Sequence, residues 1–188
     1  MKKRGIGILG GTFIFLGILL VIILGLVYVL FFGGKNYDEV YEERIESGEI
    51  VNPAEDLTVE EAVLLFDERF VYYLLVSIKA YNLHSPVLGE DTPKIEIFVD
   101  NETYNAEVNE GEISVSFGEV EGEDIVIYTS KEEAAKMVKD SSYVSESFQS
   151  GGSSLERIAG DVTLASKGYL DLYADLTGES ITGAFILA

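Results

Sequence analysis

Between Gly5 and Gly34 the chain carries no charged side chain, and most of that stretch is aliphatic or aromatic. Its body, TFIFLGILLVIILGLVYVLFF from Thr12 to Phe32, is long enough to cross a bilayer, which takes about 20 apolar residues in a helix. The pattern predicts one transmembrane helix. Lys2, Lys3 and Arg4 stand before it, and Asp38, Glu39, Glu42 and Glu43 follow soon after. Basic flanks stay on the cytoplasmic side, so the rest of the chain is expected outside the cell. Tyr28, Phe31 and Phe32 fit an aromatic belt at the outer interface. A cleaved signal peptide has a shorter apolar region that ends in small residues. This run ends in Phe-Phe-Gly-Gly-Lys, so the helix is expected to stay as an anchor.

After the anchor the pattern breaks into shorter pieces. Residues 35–57 are polar and acidic, with Gly48 and Pro53, and read as a stalk. Thr58 and Glu61 form a T-x-x-E capping box that opens a helix. Val59, Ala62, Val63 and Phe66 share its apolar face. Phe70 to Ile78 is a second apolar run, helical to about Asn82 and too short to span a bilayer. Pro86, Gly89 and Pro93 mark a loop. From Lys94 the period becomes two. Ile95, Ile97 and Val99 alternate with Lys94, Glu96, Phe98 and Asp100, which predicts a strand. Thr103 to Val108 and Ile113 to Phe117 give two more, separated by Asn109-Glu110-Gly111. Asp124 to Tyr128 is a fourth, continuously apolar and therefore expected to be central.

Ser130 and Glu133 repeat the capping-box spacing and open a helix with Ala134, Ala135, Met137 and Val138 inward. Ser141 to Gln149 continues as helix, with Val144 and Phe148 inward. Leu155 to Ala159 fits either a strand or the start of a helix. Asp161 to Leu176 reads as a helix that Gly168 weakens. The tail Ile181 to Ala188 is apolar and suits an edge strand or packing on the sheet. The order of elements predicts an α+β fold: an antiparallel sheet of about five strands, helices on one face, and the N-terminal transmembrane helix. The expected division is 1–34 for the cytoplasmic tip and anchor, 35–57 for the stalk, and 58–188 for the exported domain.

Charge narrows the function. After Arg4 the chain holds 10 basic and 33 acidic residues, a surplus that repels nucleic acid. There is no cysteine, which removes disulfides and thiolate metal sites. No H-E-x-x-H or EF-hand spacing occurs, so no metal site and no cofactor is expected. His84, the only histidine, sits in a loop beside Pro86, and Ser166 and Lys167 are merely adjacent. Neither points to catalysis, and no catalytic residue is assigned. Asn101-Glu102-Thr103 matches the N-glycosylation acceptor pattern in a predicted hairpin turn. Tyr72, Tyr73, Tyr81, Tyr143, Tyr169 and Tyr173 are ordinary core and surface aromatics that could also edge an apolar cavity.

The segment from Ile95 to about Leu176, with the sterol-like part bounded at 94–177, resembles the sterol-carrier-protein domain, a family of small lipid-binding folds. The resemblance rests on the meander, the helix opened by Thr129-Ser130-Lys131-Glu132-Glu133, the end at Phe148-Gln149-Ser150-Gly151, and Gly160-Asp161-Val162 before a later helix. It implies a cavity between sheet and helices that holds a lipid or other apolar molecule. The residues expected to line it are Ile95, Ile97, Val115, Phe117, Ile125, Ile127, Met137 and Phe148. The expectation is a non-enzymatic, membrane-anchored domain that binds an apolar ligand. The alternative is an exported interaction module that docks a partner protein through an acidic face.

Overall fold

The computed structural model describes residues 16–26, 36–86 and 89–178. Within the apolar run, residues 16–26 form a helix, α1; the remainder of the expected anchor and the tail from Ile181 lie outside the described residues. Among the described residues no helix is long and apolar enough to cross a membrane. The side chains of Leu16, Ile18, Leu20, Val21 and Leu24 on α1 are exposed.

The rest is an α+β domain. Helices α2 (Asp38–Glu46), α3 (Val59–Leu64) and α4 (Glu68–Ser77) come first, followed by a 3₁₀ turn, Ala80–Asn82. Strands β1 (Lys94–Val99), β2 (Glu102–Asn109), β3 (Glu112–Phe117) and β4 (Ile125–Thr129) follow. Helices α5 (Lys131–Lys139) and α6 (Tyr143–Ser150), strand β5 (Ser154–Arg157), and helices α7 (Asp161–Ser166) and α8 (Tyr169–Thr177) complete it.

The five strands run in the order β3-β2-β1-β4-β5. The sheet is mixed, where a wholly antiparallel one was expected. β4 lies parallel to β1, with Ile95 beside Ile125 and Ile97 beside Ile127. A continued meander would have put β4 on the far side of β3. Its apolar run Ile125-Val126-Ile127 is instead buried between β1 and β5, as a continuously apolar strand requires. The Leu155–Ala159 alternative resolves as a strand, since β5 pairs antiparallel with β4.

One face of the sheet carries Ile95, Ile97, Val99, Tyr104, Ala106, Val108, Ile125 and Ile127, all buried in one core with residues of α2 to α8. The helices thus gather on one face, as the alternation implied. The other face presents Phe98 stacked on Tyr128 at 5.3 Å between ring centroids. Asn105 Nδ2 on that face donates to Gly118 O at 2.9 Å and holds the start of the β3–β4 loop.

Local chemistry explains the helix boundaries. Thr58 and Glu61 close the expected capping box. Asp67 caps α4, so the two apolar runs form two helices. Ser130 accepts from Glu133 N–H, but the Glu133 carboxylate does not complete a second box. It accepts from Lys136, Tyr143 and Ser147 instead. The helix expected over Asp161–Leu176 is two helices, because Gly168 adopts φ +85 between them. A left-handed residue ends a helix, and glycine occupies that region without steric cost.

The segment read as a stalk belongs to the domain. Tyr41 on α2 is 1 % exposed, and Ile50 and Ala54 join it in the core. Tyr41 stacks on Tyr81 at 4.0 Å and donates to Gly111 O at 2.9 Å. Polar composition hid these three widely spaced apolar anchors.

Candidate functional site

Two places in the domain combine polar chemistry with shape: an open groove beside β3, and a buried ionic cluster at the start of β4.

The groove lies between the end of α2, the following link, the first turns of α4, and β3. It is lined by Arg44, Glu49, Ile50, Val51, Pro53, Glu68, Arg69, Tyr72 and Val115, and encloses about 560 Å³. Ile50, Val51, Pro53, Tyr72 and Val115 make an apolar floor, and charged side chains form the rim. Arg44 pairs with Glu49 at 2.8 Å and Glu112 at 3.2 Å, which fixes its guanidinium across the rim. Burial opposes the Arg44 charge, but Glu112 and Glu49 outweigh it and raise its pKa. Arg69 pairs with Asp67 at 2.7 Å.

β3 is an edge strand, so half of its backbone polar groups point away from the sheet. Gly118 N–H donates to Thr103 O. With Ser116 opposite Asn105 and Ser114 opposite Glu107, the even-numbered residues of β3 bond to β2. The N–H and C=O of Val115 and Phe117 therefore face outward, and neither N–H has a hydrogen-bond partner among the described residues. Phe117 is 64 % exposed at the end of this edge, and Leu64, Leu65 and Val51 add further exposed apolar surface.

The buried cluster centres on Lys167, whose side chain is 0 % exposed, and Asp124, whose side chain is 4 % exposed. Lys167 Nζ donates to both carboxylate oxygens of Asp124 at 2.9 Å, to Asp91 at 2.7 Å and to Thr92 O at 3.1 Å. Asp124 Oδ2 also accepts from Lys94 N–H at 2.9 Å and from Tyr169 O–H at 3.1 Å. Burial and the Asp124 carboxylate push the Tyr169 hydroxyl well above its ordinary pKa. The Lys167 hydrogen bond draws the Asp91 carboxyl below its own. Every donor of the ammonium is used, and the group is sealed from solvent, so it fastens the α7–α8 turn to the sheet.

A third set of polar groups does similar work. Thr129, Ser153 and Ser147 form a chain of hydroxyls at 2.8 and 2.9 Å that ends on Glu133, 2.8 Å from Ser147. Ser147 and Ser153 are buried. The chain ties the β5 end of the fold to α5 and α6.

The eight residues expected to line a ligand cavity fall into three environments. Ile95, Ile97, Ile125, Ile127 and Met137 are brought together in the packed core. The space of about 10 Å³ that Ile125 borders with Leu155, Leu164, Tyr169 and Tyr173 has room for one water at most. Phe148 is buried on α6. Val115 faces the groove, and Phe117 is exposed beyond it. Of the six tyrosines, Tyr72 lines the groove and Tyr169 and Tyr173 border the small space. Asn101 is exposed in the turn between β1 and β2. His84 Nδ1 lies 3.1 Å from Ser85 O, and its backbone N–H donates to Lys167 O. Among the described residues no group of three or more His, Asp and Glu is placed to hold a metal ion.

Sequence reasoning missed both the groove and the cluster. The groove floor comes from a segment dismissed as polar. Lys167 did leave a signal, since it is the only basic residue between Asp161 and Gly178. No family model matches the chain, and no curated protein is significantly similar to it.

Proposed function

We propose that this chain is a single-pass, non-enzymatic membrane protein whose exported domain docks an extended segment of a partner protein in the groove beside β3. The observation that carries the reading is the juxtaposition of a 560 Å³ apolar-floored groove with the outward backbone groups of Val115 and Phe117. A segment added to that edge gains main-chain hydrogen bonds from β3, while its alternate side chains enter the groove. The surplus of acidic residues favours a partner of opposite charge. Membrane anchoring is supported by the uncharged run from Gly5 to Gly34 and by the exposed aliphatic side chains of α1, which lipid would cover. On this reading the N-terminus is cytoplasmic, the domain is extracellular, and Asn101 is open to glycosylation. The absence of a catalytic role is supported by the sealed, fully bonded state of Lys167 and Ser147.

A second reading, binding of a lipid or other apolar ligand as the sterol-carrier resemblance implies, is favoured by one feature. Val115 and Tyr72 line a recess of small-molecule size.

The test is site-specific photocrosslinking. Benzoylphenylalanine is placed at Val51, Phe117 or Tyr128 in the full chain in its native membrane. Docking in the groove yields the same discrete protein adduct from Val51 and Phe117 and none from Tyr128, which lies on the opposite sheet face. Adducts to lipid from Val51 support the second reading. Adducts of equal yield from all three positions, or none from Val51 and Phe117, contradict both.

A further inference from the structure

Tyr37 and Asp38, where the chain enters α2, are clamped to the domain. Tyr37 N–H donates to Asn82 Oδ1 at 2.9 Å. The Asp38 carboxylate accepts from Asn82 Nδ2 at 2.9 Å, Tyr81 O–H at 3.0 Å and Lys79 Nζ at 3.3 Å. The Tyr37 ring covers Gly111 so closely that a Cβ there would stand 2.7 Å from it. The β2–β3 turn and the 3₁₀ turn therefore grip the chain as it enters α2.

Between Phe32 and Tyr37 there are only five residue steps, which reach at most about 18 Å when fully extended. A domain of about 140 residues is roughly 35–40 Å across. A tether shorter than half the domain's width does not let the domain turn over. We infer that the domain is held against the bilayer in one orientation, with the turn Asn109–Gly111 and the first turn of α2 facing the lipid. This rests on the anchor reading above. β2 spans eight residues from Asn109 to Glu102, so the β1–β2 turn that carries Asn101 lies about 25 Å farther along the sheet. The surface facing the bilayer is the Asn109 end, and the Asn101 end is displayed outward.

The chain has no cysteine, so single cysteines report position without background. Full-length Asn109→Cys, Glu39→Cys and Asn101→Cys chains are reconstituted in phosphatidylcholine vesicles, and labelling by a bulky polyethylene-glycol maleimide is timed. All three sites are exposed in the folded domain. The inference expects labelling at Asn109 and Glu39 to be several-fold slower than at Asn101. A flexible Gly/Ser insertion of about 20 residues between Gly34 and Lys35 should bring the three rates together. If the chains float with the vesicles yet label equally at native tether length, the fixed orientation is overturned. If they do not float, the anchor reading fails and the orientation fails with it.

Discussion

Replacing Lys167 with methionine isolates the buried ion pair at the start of β4. Methionine keeps most of the side-chain volume but removes the ammonium that bonds Asp124, Asp91 and Thr92 O. Asp91 is largely exposed and recovers by hydration, with its side chain 67 % exposed. Asp124 cannot, because its side chain is 4 % exposed. It keeps hydrogen bonds from Lys94 N–H and Tyr169 O–H, which soften the loss. Removing one partner of a buried pair costs about 3–5 kcal/mol, and the two remaining bonds place this site near about 3 kcal/mol. With a urea slope of about 2 kcal/mol per molar, the midpoint should fall by about 1.5 M. The chain has no tryptophan, so unfolding is followed by far-ultraviolet circular dichroism of detergent-solubilised protein. The double variant Lys167→Met with Asp124→Asn removes the stranded charge while keeping an acceptor for Lys94 and Tyr169. It should regain a clear part of the loss. A midpoint shift below about 0.5 M for Lys167→Met, or a double variant no more stable than the single one, would refute the reasoning.

Gly111→Ala should destabilise by more than the about 1 kcal/mol usual for alanine at positive φ, since φ is +85 and Tyr37 stands 2.7 Å from the new Cβ; thermal unfolding reads this directly. Glu96 has its pKa raised by burial and by Glu123 and Glu119, against a backbone hydrogen bond from Val120. A carboxyl raised on folding loses stability as pH climbs above its unfolded pKa, so Glu96→Gln should raise the melting temperature at pH 7 and change it little near pH 4. Asp38 moves the other way: burial raises its pKa, but hydrogen bonds from Asn82, Tyr81 and Lys79 outweigh that and lower it. Its contribution is present above the unfolded carboxyl pKa and is lost as pH falls through the folded one. Protection of α2 amides, measured as exchange relative to the intrinsic rate at each pH, should therefore fall in acid in the native chain, and Asp38→Asn should show much of that loss already at pH 7.

The strands were legible because alternation is a local property: Ile95, Ile97 and Val99 declare one face without knowledge of their neighbours. Pairing is not local. Nothing in Ile125–Tyr128 says that it joins the free edge of β1, and so the parallel contact was missed. Capping motifs were legible in part. Thr58 and Glu61 behaved as written, whereas Glu133 had better partners in α6 than the backbone of Ser130. The groove was illegible because its floor uses isolated residues, Ile50, Val51 and Pro53, within a segment that has no period. The Lys167 cluster was illegible because its partners, Asp91 and Asp124, are 76 and 43 residues away.

The central claim is an exported domain on a retained anchor, and cysteine accessibility in intact cells tests it most directly. The full-length Asn101→Cys chain is expressed, exposed to a membrane-impermeant maleimide before lysis, and then fractionated. The account predicts a labelled protein that stays in the carbonate-washed membrane pellet. Labelling only after lysis, or recovery of the chain in the soluble fraction, would contradict it.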